Sequence, residues 1–182
     1  MIFKQGDYVL FDDRRSRISI KENDASIELK NTKKARVIHY LLDKGIIPQK
    51  DTSVQRCDSI VECIDDETDR IIYAIELKGE DVNHALEQLA STMKLFFEPD
   101  YRRRNIHFIE PSDTNDFTSL KGVEIRLRAV SPKPGKSMVK KQSATHRIKY
   151  TKETMLKQIC IRNHINFDID RIIVKSGSSE NI

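Results

Sequence analysis

Between Cys57 and Gly79 the chain reads CDSIVECIDDETDRIIYAIELKG, and this stretch constrains the fold more than any other. Two apolar runs, IVECI and IIYAIEL, flank the acidic segment DDETD, the local pattern of two short strands joined by a polar turn. A β-hairpin is the expected result. Side chains two apart in a strand share a face, so Glu76 and Lys78 project together while Ile75 and Leu77 pack behind them. With the turn near Asp66 to Thr68, Asp58 returns to the level of Glu76. Two carboxylates and one ammonium then meet at one end of a sheet.

Carboxylates held close together beside a sheet repel unless a cation or a proton intervenes. Mg²⁺ suits such a place, because it takes one or two carboxylates, keeps several waters and completes its shell with substrate phosphate oxygens. Mn²⁺ is the natural substitute. Asp58 and Glu76 are the candidate metal ligands, with the backbone carbonyl of Leu77 as a further oxygen and Lys78 placed to orient a water or to stabilise charge on a phosphate.

Asp58, seventeen intervening residues, then Glu76-Leu77-Lys78, with apolar strands around both, resembles the PD-(D/E)xK nuclease superfamily of restriction-endonuclease-like fold. The following segment, Gly79 to Leu89, resembles the helix after the ExK strand in many such nucleases, including a Gln, here Gln88, that leans toward the active site. The resemblance covers roughly residues 31 to 110. It implies a mixed central sheet flanked by helices, and a Mg²⁺-dependent hydrolase of DNA phosphodiesters with Asp58, Glu76, Lys78 and Gln88 as catalytic residues. RNA is the second substrate. Arg56-Cys57 stands where the family's Pro falls, and the candidate first core helix, Thr32 to Asp43, carries no Glu. The number of metals therefore stays open. Two other readings also stay open: a catalytically lapsed nucleic-acid-binding protein on the same fold, and a non-enzymatic interaction domain in which Glu76 and Lys78 form a surface pair.

The 182 residues suit one domain, residues 1–176, with a flexible tail at 177–182. No run of about 18 apolar residues and no signal-peptide pattern is present, so a soluble cytoplasmic protein without a membrane partner is expected. A homodimer is compatible with the pattern. Three cysteines without CxxC spacing support neither a disulfide framework nor a zinc site.

The net charge of +4 is unevenly spread: residues 1 to 99 hold 15 Lys and Arg against 19 Asp and Glu, and residues 100 to 182 hold 17 against 9. The C-terminal half is the side expected to face a polyanion. Arg102, Arg103 and Arg104 form one candidate phosphate contact, and Lys133, Lys136, Lys140 and Lys141 another. The four lysines sit in SPKPGKSMVKKQS, whose prolines and lack of period read as a loop within the basic segment 121–152.

Along the chain, residues 1–30 read as an antiparallel meander of three short strands in YVLF, RISI and ASIEL. Ala35, Ile38, Leu41 and Leu42 have helical spacing that Gly45 terminates, and Val82, Ala85, Leu86, Leu89, Met93 and Phe96 make a second helical stripe. Pro99 ends that helix, Ile106 to Ile109 is strand-like, and Val123 to Val130 reads as an amphipathic strand at a sheet edge. Thr151 caps a last helix, and Ile169 to Val174 is a last strand.

Overall fold

Strands β5 (Ser59–Ile64) and β6 (Arg70–Leu77) pair antiparallel, with Ser59 opposite Ile75 and Ile64 opposite Arg70. That register brings Asp58 level with Glu76, as the alternation of the two runs requires. The structure is a computed structural model that describes residues 8–43, 45–47, 54–65, 69–78, 81–105, 123–132, 144–168 and 172–182. Nearly every residue of the hairpin is buried, including Ser59 to Cys63 and Ile72 to Leu77, because the sheet is covered on both faces. Alternate residues serve opposite cores. Ile60, Ile72 and Ala74 pack toward the helices, while Val61, Cys63, Tyr73, Ile75 and Leu77 pack toward a second sheet.

The main sheet is mixed, α/β in class, and follows the order β1-β4-β5-β6-β7-β8, with β9 also on β7. Strands β1 (Val9–Asp13), β4 (Arg36–Leu41), β5 and β6 are antiparallel neighbours. Strand β7 (Glu124–Ser131) runs parallel to β6 and to β8 (Asn166–Phe167) and β9 (Ile173–Lys175). Parallel neighbours need a crossover. Helices α1 (Val82–Phe97) and α2 (Pro99–Asn105) lie between β6 and β7 in the chain, and α3 (Ala144–Arg162) lies between β7 and β8. Ion pairs Lys152–Glu87 and Arg162–Glu98, the latter at 2.7 Å, run in the same sense along α1 and α3, so the two helices pack parallel. Among the described residues no helix is long and apolar enough to cross a membrane.

Several local expectations change. Residues expected as a helix from Thr32 to Asp43 form strand β4. Its run VIHYL is β-branched and aromatic, and Val37 to Tyr40 are buried toward both cores, which overrides the accidental spacing of Ala35, Ile38, Leu41 and Leu42. Lys34 takes a φ of 59°, a turn conformation that no helix accommodates. Gly45 serves a turn after the strand: Ile46 N–H donates to the Leu41 carbonyl at 3.0 Å, and a Cβ on Gly45 would meet that same oxygen at 2.1 Å.

The three N-terminal strands do not form one meander. β1 joins the main sheet, whereas β2 (Arg17–Glu22) and β3 (Ala25–Lys30) form a hairpin around Asn23, whose φ is 49°. Strand β10 (Ser178–Asn181) completes this second sheet in the order β10-β3-β2, so the tail expected to be flexible is a strand. Arg128 explains it. This side chain is 1% exposed and donates to Glu180 Oε1 at 2.6 Å, to Glu180 Oε2 at 2.8 Å and to Asp168 Oδ2 at 3.1 Å. A buried guanidinium demands such partners. Strand β7 is interior and not an edge, since it has β6 on one side and β8 and β9 on the other. Helix α3 begins at Ala144, ahead of the expected Thr151 cap. The expected strand Ile106 to Ile109 lies outside the described residues.

Candidate metal centre

Asp58 stands at the entry to β5 and Glu76 one residue before the end of β6. The Asp58 amide donates to Glu76 Oε2 at 3.2 Å, and Asp58 Oδ2 accepts from the Leu77 amide at 2.7 Å. Lys78 Nζ lies 3.5 Å from Glu76 Oε1. Glu76 is fully buried, and Lys78 is one third exposed at the rim. The three residues expected to converge do so.

Burial carries the electrostatics. It pushes the Glu76 carboxyl up to about 9; the Asp58 charge adds to the rise, and Lys78 opposes it. Burial also pushes Asp58 up to about 6, against the pull of the Leu77 amide, with a further rise from the negative charge of Glu22. Keeping Glu76 protonated relieves the repulsion between two carboxyls held this close.

Extended backbone turns the N–H and C=O of one residue toward the same neighbour. The Leu77 amide faces Asp58, whereas the Lys78 amide donates across the sheet to the Val130 carbonyl at 2.9 Å. The Leu77 carbonyl is therefore on the Asp58 side of β6.

Helix α1 fixes the approach to Asp58. Asp81 caps the helix by accepting from the His84 amide at 3.1 Å. Gln88 Nε2 donates to the Arg56 carbonyl at 3.0 Å, and Thr92 Oγ1 accepts from the Cys57 amide at 2.9 Å. Gln88 thus acts on the backbone two residues ahead of Asp58. Its Oε1 is buried and has no hydrogen-bond partner among the described residues. Arg56 is itself held by Asp43, with Nε at 2.8 Å and Nη2 at 2.7 Å from Asp43 Oδ1.

Two arginines of the triplet meet backbone carbonyls. Pro99 opens the short helix α2, as a proline suits a first helical turn. Arg102 Nη1 donates to the carbonyls of Leu95 and Phe96 at 3.3 Å each, so it caps the end of α1, roughly 11 Å along the helix from Gln88. Arg104 is exposed and donates to the Asp100 carbonyl at 3.0 Å. The side chain of Arg103, and all of Lys133, Lys136, Lys140 and Lys141, lie outside the described residues.

Three polar residues near the centre escaped the sequence reading. Glu22, Asp43 and His39 line a cleft of about 480 Å³ that also includes Asp58 and Leu77. His39 comes from β4 beside β5, whereas Glu22 comes from the second sheet, and the packing of one sheet on the other brings Glu22 to Asp58. No sequence period signals that. Among the described residues no group of three or more His, Cys, Asp or Glu is poised to hold a metal. The chain matches no family model, and neither a curated protein nor a solved structure gives a significant match.

Proposed function

We propose that this chain is a Mg²⁺-dependent nuclease that hydrolyses phosphodiester bonds of DNA, built on a restriction-endonuclease-like core. The observation that carries the reading is the Asp58–Glu76 pair, with Glu76 buried, Asp58 half-buried and Lys78 at the rim. A surface pair would be solvated and distant from Asp58, and Glu76 is neither. The hairpin, the helix α1 behind it and the parallel strand β7 beside it support the same reading.

The donor set fits a hard divalent cation. Two adjacent carboxyls, one of them kept protonated by burial, are a place where a cation can replace that proton. Two carboxylates and one backbone carbonyl are few ligands for a metal that demands a full protein cage, yet they suit Mg²⁺, which retains waters and recruits substrate oxygens. Asp58, Glu76 and the Leu77 carbonyl would hold it. When bound, the ion supplies Lewis acidity to the phosphate and lowers the pKa of water.

The residues of the chain do the rest. Asp58 and Glu76, fixed through each other's polar groups, set the position of the reacting phosphate. Lys78 sits at the exposed rim, where its ammonium orients the attacking water and offsets charge gathering on the phosphoryl oxygens. Gln88 and Thr92 hold the backbone of Arg56 and Cys57 so that Asp58 keeps its direction. These two position the site without touching the reacting atoms.

A second reading, a nucleic-acid-binding protein whose chemistry has lapsed, draws on the absence, among the described residues, of a group of three or more acids or histidines poised to hold a metal. One assay separates them. The purified chain with Mg²⁺ is expected to cleave circular plasmid DNA, to stop in chelator, and to lose at least about a hundredfold in rate in Asp58→Asn and Lys78→Ala. Binding without cleavage at any metal concentration would favour the lapsed enzyme.

A further inference from the structure

Strand β2 carries a row of exposed hydrogen-bond donors. Burial alternates along Arg17-Ile18-Ser19-Ile20-Lys21: the two isoleucines enter the core between the sheets, and Arg17, Ser19 and Lys21 are exposed. The strand is an edge of the second sheet. Its backbone phase follows from the Asn31 amide, which donates to the Ser16 carbonyl at 2.9 Å in the register that sets Arg17 opposite Lys30. Directly opposed residues of an antiparallel pair alternate between bonded and non-bonded. Ser16, Ile18 and Ile20 therefore bond to β3, and the amides of Arg17, Ser19 and Lys21 face away from it. No hydrogen bond reaches these three amides among the described residues.

The row leads to the candidate metal centre. Ser19 and Lys21 line one cleft with Asp58 and Leu77, and Arg17 lies roughly 13 Å along β2 from Lys21, away from Asp58. The acids just ahead of β2 are already taken up, Asp13 by Arg15 and Asp12 by Arg36, each at 2.6 Å. Its cations are not. Arg14 donates to the Lys34 carbonyl, and neither it nor Lys21 pairs with a carboxylate among the described residues. The side chain of Arg17 is 72% exposed and meets Glu28 at no closer than 3.9 Å.

We propose that β2 is a phosphate track for one strand of the DNA, in which Lys21, Ser19 and Arg17, in that order, hold successive phosphates on one side of the phosphate at Asp58. This rests on the nuclease reading above. Cationic side chains, a hydroxyl and backbone amides are the donors that hold a nucleic-acid backbone in register. Alternate residues of a strand stand roughly 6.7 Å apart, close to the repeat of phosphates along an extended chain. An unpaired edge also invites another β-strand, but charges at alternate positions discourage that pairing, and the outward face of β2 offers a partner strand no apolar side chain.

Fluorescence anisotropy of a short labelled oligothymidylate, titrated with the full chain in Ca²⁺ over a range of salt, tests the track without cleavage. Arg17→Gln with Lys21→Gln is expected to flatten the plot of log affinity against log salt by about 1.4, the share of two phosphates on a single strand. Ser19→Glu, at an exposed position midway along the row, is expected to weaken binding by about tenfold with an unchanged melting temperature. Lys157→Gln with Arg162→Gln removes the same charge from α3, on the far side of the main sheet, and is expected to leave the slope unchanged. Equal slopes for wild type and the β2 variant, or equal flattening by the β2 and α3 variants, would overturn the track. So would a dimer in sedimentation that Ser19→Glu dissolves, because the β2 edge would then hold a protein strand. Each of these results would leave Mg²⁺-dependent cleavage untouched, and a chain that binds the oligonucleotide through β2 but cleaves no DNA would fail only the nuclease reading.

Discussion

The Asp58 amide donates to Glu76 Oε2 at 3.2 Å, and the Asp58 charge adds to the rise that burial imposes on the Glu76 carboxyl. The pair therefore has two states, one with Glu76 protonated and one open to a cation. Most of what the chain is expected to do with pH and metal follows from that choice.

The first consequence is a pH-dependent stability in the absence of metal. Glu76 rises from 4.5 to about 9 on folding, so the folded chain binds this proton more tightly than the unfolded chain does. The stability it brings is complete below the unfolded value of 4.5 and is lost as pH climbs through about 9. Asp58 adds a smaller loss confined between 3.8 and about 6. In chelator, wild-type melting is expected to fall across pH ~6 to ~9, at no more than about 1.4 kcal/mol per pH unit. Glu76→Gln mimics the protonated form and is expected to stay flat over that range. Parallel profiles for the two proteins would mean that Glu76 is already ionised in the folded state.

How much of this was legible in the sequence depends on how local each feature is. The hairpin register, and with it the meeting of Asp58, Glu76 and Lys78, follows from a period of two and a polar turn, both written between Asp58 and Lys78. Strand β4 was hidden because Ala35, Ile38, Leu41 and Leu42 satisfy a helical period, while the burial of Val37 to Tyr40 on both faces comes from layers supplied by distant parts of the chain. Strand β10 was hidden by its polar composition. Its Glu180 is held by Arg128, and nothing near Glu180 in the sequence announces that guanidinium. The arginine triplet showed its charge in the sequence, but not that the Leu95 and Phe96 carbonyls take up Arg102.

The C-terminal strand is expected to be structural. Glu180→Ala removes the principal carboxylate from a guanidinium that is 1% exposed, leaving Asp168 as its remaining carboxylate among the described residues. Breaking a buried ion pair from one side costs about 3–5 kcal/mol. Urea denaturation should show a loss near that size, and Arg128→Met with Glu180→Leu should recover much of it. A Glu180→Ala loss below about 0.5 kcal/mol would return residues 177–182 to the role of a dispensable tail.

The basic segment is expected to grip the phosphate backbone. If Lys133, Lys136, Lys140 and Lys141 neutralise about four phosphates, the log of duplex affinity falls with the log of salt at a slope of roughly −3.6. Replacing the four with Gln should flatten that slope in Ca²⁺ and leave metal binding at Asp58 and Glu76 unchanged. Arg102→Ala should instead lower stability by about 1 kcal/mol, through its lost helix cap, with little effect on the slope. Identical slopes for wild type and the quadruple variant would make these lysines ordinary solvated charge.

The central claim is that the carboxyl pair is a metal centre, and the anomalous-scattering map of crystals soaked in Mn²⁺ tests it most directly. The account predicts a peak bonded to both Asp58 and Glu76, at oxygen distances of about 2.2 Å, that is absent from crystals of Asp58→Asn. A map of the soaked wild-type crystal with no peak at this pair would contradict it.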